Sequence, residues 1–369
     1  MTIPLVDLVA QYHTLKPEID QAIQRVLESG QFILGSEVSL LEEEVANYLG
    51  AKYAVGVASG TDALIMALRA LDIGSGDEVL LPAYTFFATA GAVLHVGAIP
   101  IFVDIDAQTY CMDVYLAQSK ITSRTKAIIP VHLFGHPVDM EAVFELSETY
   151  RLKVIEDNAQ AFGAEYFAKK TGSFSDAACL SFFPTKNLGG YGDGGMVVTS
   201  HADIAEKVRM LRTHGWRKKY FPEELGYNSR LDALQAAILR VKLSHVDEWN
   251  QRRRQLAQEY KVRLESMEIQ IPSEATNIKH AYHLYVIRYK NRDRIRQVLK
   301  EANVSSDVYY PQPPYLATPC RKLGYQLGAF PISDLASKET LAIPLYPEMN
   351  NAQIDYIVAN IQRAIGLNT

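Results

Sequence analysis

From about residue 50 onward, short β-branched runs alternate with segments of helical periodicity, and this alternation constrains the fold more than any other feature. The runs predicted to be buried strands are KYAVGVAS, DEVLLP, IPIFVDI, KAIIPVH, KVIED, AACLSFF and GGMVVTS. Strands separated by helices form mostly parallel sheets whose faces the helices cover. The pattern therefore predicts an α/β layer built on a mixed, mostly parallel sheet.

The pattern changes near Ser229. The segment SRLDALQAAILRVKLSHVDEWNQRRRQLAQEYKVRLESM has apolar residues at helical spacing, which predicts one or two long helices. A smaller α+β unit follows, with a strand in AYHLYVIRY, a helix in DRIRQVLKEAN, and helices near Leu335 and Ile354. We therefore expect a large domain at 12–248 and a small C-terminal domain at 249–369, with the N-terminal arm 1–11 packed against the small domain.

Charge, cysteine content and hydropathy exclude several classes of protein. The formal net charge of -5 argues against a nucleic-acid partner, because such proteins need a basic face to displace counterions from phosphates. The scattered residues Cys111, Cys179 and Cys320 indicate neither a disulfide framework nor a zinc site. The N-terminus lacks a signal-peptide pattern, and no run approaches the ~18 apolar residues of a membrane span. We expect a cytoplasmic protein with no membrane partner.

The segment GYGDGG, Gly190 to Gly195, matches the G-x-G-x-x-G pattern of dinucleotide-binding turns. That fingerprint requires a strand before it, a helix beginning inside it and an acidic residue about 20 positions later. Here a strand, MVVTS, follows the glycines, and the region near residue 215 is basic. The glycines are therefore predicted to form a tight connection between two strands.

Lys186 lies between the aromatic end of one strand and this glycine-rich segment. Most lysines are solvated, but Pro184 and Thr185 turn the chain directly before Lys186, which favours a poorly hydrated position at the edge of the sheet. Desolvation lowers the pKa of an amine, as a lysine that forms a Schiff base requires. A reactive amine suggests pyridoxal phosphate (PLP), which also needs an anion site, an acid facing its ring nitrogen and a plane to stack on.

Three other strand ends offer these groups, each with a simpler alternative. In SGTDAL, Ser59, Gly60 and Thr61 precede a helix whose N-terminus could hold a phosphate, or Thr61 or Asp62 could simply cap that helix. Asp157 ends a strand and could face a pyridine nitrogen or cap the next helix. In PAYTFFATA, the aromatic residues could stack on the cofactor or belong to the core.

The motifs SGTDAL, PAYTFFATA, VIEDNAQAFGA, SFFPTKNLGGYGDGG and GYNSRLDALQAAIL closely resemble the DegT/StrS family of PLP-dependent sugar aminotransferases. The resemblance runs from PLVDL near the start to LAIPLYPEM near the end, and it implies the aspartate aminotransferase-like fold. It implies that Lys186 and Asp157 are the catalytic residues. The cofactor-binding residues that it implies are Gly60, Thr61, Phe86, Asp157, Gln160, Ser181, Lys186 and Asn228.

The resemblance also implies roles for some of these residues. Lys186 holds PLP as a Schiff base and moves a proton, Asp157 pairs with the pyridine nitrogen, and Phe86 stacks on the ring. Family members are homodimers with shared sites, so Asn228 would reach the phosphate of the neighbouring subunit. In the family's reaction glutamate first converts PLP to pyridoxamine phosphate, which then aminates a ketone on a nucleotide-linked hexose.

The residues expected to bind the substrate follow from the same resemblance. The basic and aromatic loop HGWRKKY resembles that of members acting at C3 of the hexose, with a solvated loop as the alternative. The expected substrate-binding residues are His214, Lys219, Tyr220, His283 and Tyr310.

Two departures from the family bear on the identity of the hexose. Phe162 and the segment PQPPYLATP differ from many relatives in parts expected near the sugar. Amination of a 4-keto sugar nucleotide or of a cyclitol therefore stays an alternative, as does a non-enzymatic regulatory protein. His132 and His136 are four residues apart without an accompanying carboxylate or cysteine, so we expect no metal site.

Overall fold

The computed structural model describes residues 2–366 of the 369-residue chain. The helices are α1 (Leu8–Ser29), α2 (Ser36–Leu49), α3 (Gly60–Ala70), α4 (Phe87–His95), α5 (Val114–Ala117), α6 (Met140–Tyr150), α7 (Ala202–Leu211), α8 (Ala233–Leu243), α9 (Val246–Leu264), α10 (Arg292–Glu301), α11 (Pro331–Glu339) and α12 (Asn351–Ile365). The strands are β1 (Tyr53–Val57), β2 (Glu78–Pro82), β3 (Ile99–Val103), β4 (Thr125–Ile128), β5 (Lys153–Asp157), β6 (Glu165–Tyr166), β7 (Lys169–Lys170), β8 (Ala177–Ser181), β9 (Gly195–Thr199), β10 (Trp216–Lys218), β11 (Phe221–Pro222), β12 (Ile278–Lys279), β13 (Tyr285–Arg288) and β14 (Thr340–Ile343).

Seven strands form the central sheet in the order β1-β9-β8-β5-β4-β2-β3. The pairs β2–β3, β2–β4, β4–β5 and β5–β8 are parallel, whereas β9 is antiparallel to both β1 and β8. Each of the seven apolar runs in the sequence overlaps one of these strands. The predicted mixed, mostly parallel sheet is confirmed, and its single reversal lies at β9.

The glycine-rich segment connects the antiparallel strands β8 and β9. Ser181 pairs with Gly195 where the two strands face each other, and the chain between them carries Lys186. The segment is therefore a link between strands, as predicted, and it leaves the sheet at the carboxyl end of β8.

Helices α1 and α2 precede the first strand and were not predicted from the sequence. The Asp7 side chain accepts a hydrogen bond from the backbone N–H of Ala10 at the start of α1, and Gly30 ends the helix in a left-handed conformation. One face of α1 packs on α8, where Ile19 lies in a cluster with Ile238. Across residues 2–366, no helix combines the length and the hydropathy that crossing a bilayer requires.

The C-terminal part has its own core around the antiparallel pair β13–β14. Helix α9 joins the two cores, because Val246 packs beneath the large sheet whereas Leu256 and Tyr260 pack in the C-terminal core. The predicted domain boundary at 248/249 falls in the first turn of α9. Ile3 of the N-terminal arm is fully buried in the C-terminal core and forms a bridge with Val304.

Candidate active site

A cavity of about 660 Å³ opens where the carboxyl ends of β1, β2, β5 and β8 meet. Open α/β sheets bind their ligands at this edge, and the volume lies in the usual range for small-molecule sites. The predicted site residues that line it are Gly60, Thr61, Phe86, Asp157, Gln160, Ser181, Lys186, His283 and Tyr310. The fold therefore brings together residues that lie up to 250 positions apart in the chain.

Lys186 follows β8 in a tight turn, in which its backbone N–H donates to the carbonyl of Phe183 at 2.8 Å. The accessible part of its side chain faces the cavity. Burial lowers the pKa of the Lys186 amine from 10.5 to about 8, and the nearby Asp157 opposes this shift. A much larger fraction of this amine is therefore neutral and nucleophilic near pH 7 than for a solvated lysine.

Asp157 lies at the end of β5 and is 6% exposed. Its Oδ2 accepts a hydrogen bond from Thr89 Oγ1 at 2.8 Å, and its Oδ1 accepts from the N–H of Ala159 at 3.3 Å. Burial raises the pKa of the Asp157 carboxyl, while the Thr89 hydrogen bond and the Lys186 charge act in the opposite direction. A desolvated carboxylate is stabilised by a cationic N–H donor such as a protonated pyridine.

The N-terminus of α3 supplies the anion-binding part of the cavity. Ser59 is the helix cap, since its hydroxyl accepts from the N–H of Asp62 at 3.1 Å; neither Thr61 nor Asp62 has that role. The first N–H groups of a helix have no partner inside it, and they attract anions. A Cβ on Gly60 would lie 2.8 Å from the Cβ of Ser181, so glycine lets the helix start contact the end of β8.

Gln160 and Tyr310 form the opposite wall. The side-chain oxygen of Gln160 accepts from the backbone N–H of Phe134 at 2.8 Å, and its nitrogen donates to the Tyr310 hydroxyl at 2.9 Å. Since that hydroxyl accepts from Gln160, its own proton is free to point into the cavity. The Phe86 ring lies 5.7 Å from the Tyr310 ring and is 56% exposed, so it offers an apolar face to a flat ligand.

His283 also lines the cavity and is 5% exposed. Within residues 2–366, its buried Nδ1 has no hydrogen-bond partner. Burial and the nearby Lys186 charge hold the pKa of His283 well below its usual value, so the imidazole is neutral. A neutral imidazole with an unpaired nitrogen is suited to hydrogen-bond a bound molecule.

These groups fit pyridoxal phosphate. The Lys186 amine matches its aldehyde, the start of α3 matches its phosphate and the buried Asp157 carboxylate matches its ring nitrogen. The exposed Phe86 ring offers the stacking surface, and the unpaired Nδ1 of His283 leaves a polar contact for the bound ligand.

The remaining predicted residues lie away from the cavity, on or beside a hairpin loop at 214–226 that contains β10 and β11. His214, Lys219, Tyr220 and Asn228 are all exposed, and Tyr220 is 72% exposed. Their assignment to substrate or cofactor binding stays a prediction, because this single chain does not bring them to the cavity.

Phe162 does not line the cavity, although the sequence placed it near the sugar. Its ring stacks on Tyr48, with the ring centroids 5.0 Å apart, and it belongs to the core between α2 and the large sheet. His132 and His136 are likewise buried in the protein interior, and His132 Nε2 lies 3.0 Å from the buried Glu156 carboxylate. Both cases involve tertiary packing that residue spacing does not reveal.

Sequence reasoning missed several residues of the site. Thr89 reaches Asp157 from the first turn of α4, and nothing in its sequence context marks that contact. Leu5 and Val6 line the cavity as well, because the bridge from Ile3 to Val304 holds the N-terminal arm at its mouth.

The model of the DegT/DnrJ/EryC1/StrS aminotransferase family matches residues 13–362. This chain belongs to that family. Among curated relatives, a protein of Geobacillus stearothermophilus named "Pleiotropic regulatory protein" is 46% identical over 98% of each chain. A UDP-N-acetyl-3-dehydro-alpha-D-glucosamine 3-aminotransferase of Acidithiobacillus ferrooxidans is 44% identical, also over 98% of each chain.

Solved structures of the family superimpose closely. DesV of Streptomyces venezuelae, solved with a ketimine intermediate, is 41% identical with a TM-score of 0.96 over 98% of each chain. The sugar aminotransferase Spr1654 of Streptococcus pneumoniae, described as putative and solved in its PLP form, is 26% identical with a TM-score of 0.90, covering 96% of this chain and 97% of that one. The predicted family, fold class, aminotransferase activity and cofactor are confirmed by these comparisons.

Proposed function

We propose that this aminotransferase transfers an amino group from glutamate to the C3 keto group of a nucleotide-linked deoxyhexose. The observation that carries the proposal is that one cavity contains both a desolvated Lys186 amine and a buried Asp157 carboxylate. When bound, PLP supplies the electron sink that makes the substrate carbon acidic.

The residues of this chain have separable roles in that reaction. Lys186 Nζ would hold the cofactor and can accept and return a proton, for which a pKa of about 8 is well matched near neutral pH. Asp157 would keep the ring nitrogen of the cofactor protonated, and the N–H groups of Gly60 and Thr61 would orient its phosphate. Phe86 and Gln160 line the same cavity and would contact the cofactor ring.

The substrate class is supported by the relatives and by the unfilled polar groups of the cavity. The relative from Acidithiobacillus ferrooxidans is named for a 3-keto UDP-sugar, and we infer a UDP- or dTDP-linked 3-keto hexose here. His283 and Tyr310 both line the cavity, and the unpaired His283 Nδ1 and the Tyr310 hydroxyl are suited to hydrogen-bond the hydroxyl or keto groups of a sugar.

The remaining predicted residues fit a homodimer with shared sites. Asn228 and the hairpin-loop residues Lys219 and Tyr220 are all exposed, and all three lie outside the cavity of their own chain. We infer that these residues complete the site of a second subunit. Cys111, Cys179 and Cys320 are free thiols, which agrees with the reducing cytoplasm that we propose as its location.

The first test is the visible absorption spectrum of wild-type protein and of Lys186→Ala, each supplied with PLP, before and after addition of glutamate. We expect a cofactor band in the wild type that glutamate bleaches, and no such band in Lys186→Ala. If the PLP-supplied wild type shows no band, the aminotransferase assignment fails, and the regulatory name of the Geobacillus relative becomes the better description.

The second test identifies the acceptor. The wild type charged with glutamate is offered 3-keto and 4-keto sugar nucleotides and an inositol-derived ketone, and the products are analysed by mass spectrometry. We expect amination of the 3-keto sugar nucleotide. Amination only at C4, or only of the cyclitol, would replace the proposed substrate while leaving the cofactor chemistry intact.

A further inference from the structure

Beneath the cavity, the buried Lys242 contacts the connection between β8 and β9. This connection, residues 182–194, is the lysine-bearing segment, because it carries Lys186. Lys242 lies on α8 and is only 1% exposed. Its Nζ donates a hydrogen bond to the backbone carbonyl of Gly189 at 2.6 Å and lies 4.8 Å from the centre of the Tyr191 ring. Neither Lys242 nor Gly189 lines the cavity, so the contact acts from behind the site.

The Gly189 carbonyl is connected to Lys186 through tightly packed backbone. A Cβ on Gly189 would lie 2.3 Å from the carbonyl oxygen of Pro184 and 2.8 Å from that of Phe183. The same Phe183 carbonyl accepts the hydrogen bond from the Lys186 N–H. A displacement of Gly189 therefore moves the turn from which the Lys186 side chain projects.

A second contact from the same helix supports this arrangement. The Gln235 side-chain oxygen accepts a hydrogen bond from the N–H of Tyr191 at 2.7 Å. Gln235 and Lys242 are seven residues apart, which is two helical turns, so both project from one face of α8. Helix α8 thus contacts the lysine-bearing segment at two successive points.

The cost of burying Lys242 indicates a role beyond packing. Burial lowers the pKa of its amine to about 8, and the charge of Glu348 opposes this shift. An apolar side chain of similar length would avoid this desolvation, and replacing a buried charge by an apolar group is often neutral for stability. What an apolar side chain could not supply is the hydrogen bond to Gly189.

We propose that Lys242 is a positioning residue that holds the 187–194 segment through the Gly189 carbonyl and so fixes the Lys186 amine for proton transfer. This inference rests on the proposed function. A misplacement of a reacting group by about 1 Å can lower the rate of the chemical step by about 100-fold without changing the substrate contacts.

The test uses Lys242→Met, which keeps the length and apolar stem but cannot donate a hydrogen bond. Hydrogen exchange followed by mass spectrometry on the protein without cofactor is expected to show exchange about tenfold faster in peptides covering 187–194 and unchanged exchange in β1 and β5. With PLP, we expect kcat to fall about 10- to 100-fold while both KM values stay within about twofold.

The matched control is Arg253→Met. Arg253 is also buried, at 4% exposed, but it donates to the carbonyls of Leu345 and Tyr282 instead of the lysine-bearing segment. This control is expected to lower the unfolding temperature without faster exchange at 187–194. Faster exchange there in both variants would mean that Lys242 has only a general structural role, and the proposal would be overturned.

Two further outcomes would also overturn it: unchanged exchange at 187–194 in Lys242→Met, or faster exchange with unchanged kcat. If Lys242→Met does not fold, Lys242→Gln decides by the same measurements, because its amide is one atom too short to keep the full contact with Gly189. Wild-type turnover is measured first. Its absence would refute the proposed function, whereas normal wild-type turnover with an unaffected variant would refute only the role of Lys242.

Discussion

The cavity and the hairpin loop at 214–226 both carry residues that the sequence assigns to the active site, yet they are built in different ways. Asp157 and Ser181 end strands of a packed sheet, and Lys186 follows in a turn held by backbone hydrogen bonds. The hairpin loop contains the two short strands β10 and β11, and Tyr220 at its tip is 72% exposed. One chain therefore assembles the cavity, whereas the hairpin loop lies outside it with its tip exposed to solvent.

The difference also appears in the electrostatics. In the cavity, burial lowers the pKa of Lys186 and raises that of Asp157, so both groups are tuned by their surroundings. In the hairpin loop, the Arg217 and Glu223 side chains form an ion pair at 3.7 Å in which both remain more than half exposed. Such exposed ion pairs contribute little to the free energy of folding. Substitutions in the cavity should therefore affect the chemical step, and those in the hairpin loop should affect binding.

The largest effect is expected from Asp157→Asn. An amide of the same shape carries no charge to keep the ring nitrogen of the cofactor protonated. We therefore expect kcat to fall about 100- to 1,000-fold, the size of effect that is typical when a group that controls a proton is lost. Stopped-flow measurement of the half-reaction with glutamate checks this. Asp113→Asn, which alters only the cap of α5, is the control and should retain wild-type rates. Near-normal rates in Asp157→Asn would mean that this cavity residue does not control the chemical step.

The rate of cofactor uptake should increase about tenfold from pH 7 to pH 9. The neutral amine is the nucleophile, and burial lowers the pKa of Lys186 to about 8. Protonation below that value blocks the attack, so the rate should rise with pH and level off above about 8. The measurement is the rate at which PLP absorbance shifts when mixed with cofactor-free protein. A rate still rising steeply above pH 10 would show an ordinary, solvated lysine.

Asn228→Ala should weaken PLP binding about tenfold, as expected for one lost hydrogen bond to a charged group. If the site is shared, mixing Asn228→Ala with Lys186→Ala should restore activity at a PLP concentration that leaves the sites of Asn228→Ala alone mostly empty. About a quarter of the wild-type sites should return, since half of the dimers in an equal mixture are mixed and each then holds one intact site. The check is turnover after the two variants are dissociated together and reassociated. No recovery would place Asn228 outside a shared site.

The smallest effect is expected from Lys219→Ala in the hairpin loop. Loss of one exposed cationic contact should raise the KM for the sugar nucleotide about three- to tenfold, with an unchanged half-reaction with glutamate. Steady-state kinetics with the sugar nucleotide varied gives both values. Lys218→Ala, on the neighbouring exposed residue, is the matched comparison. A fall in the glutamate half-reaction would mean that the hairpin loop contributes to the chemistry, and the comparison would fail.

Much of the fold could be predicted because its elements carry strong local signals. All seven strands of the large sheet and the helices α8, α9, α10, α11 and α12 correspond to apolar runs or periodic segments in the sequence. Helices α1 and α2 were missed, since much of α1 is polar and its buried face becomes evident only against α8. The antiparallel direction of β9 could not be predicted from the sequence either, because hydrophobic periodicity does not give strand direction.

The residues of the cavity follow the same division. By itself, the sequence determined that Lys186, Asp157 and the Gly60–Thr61 turn lie at strand or helix ends, because such positions are marked by local pattern and by family motifs. Only the tertiary structure decided that Thr89 reaches Asp157, that Phe162 stacks on Tyr48 and that Lys242 holds Gly189. These contacts join residues between 53 and 114 positions apart, and their geometry depends on how whole helices pack on the sheet.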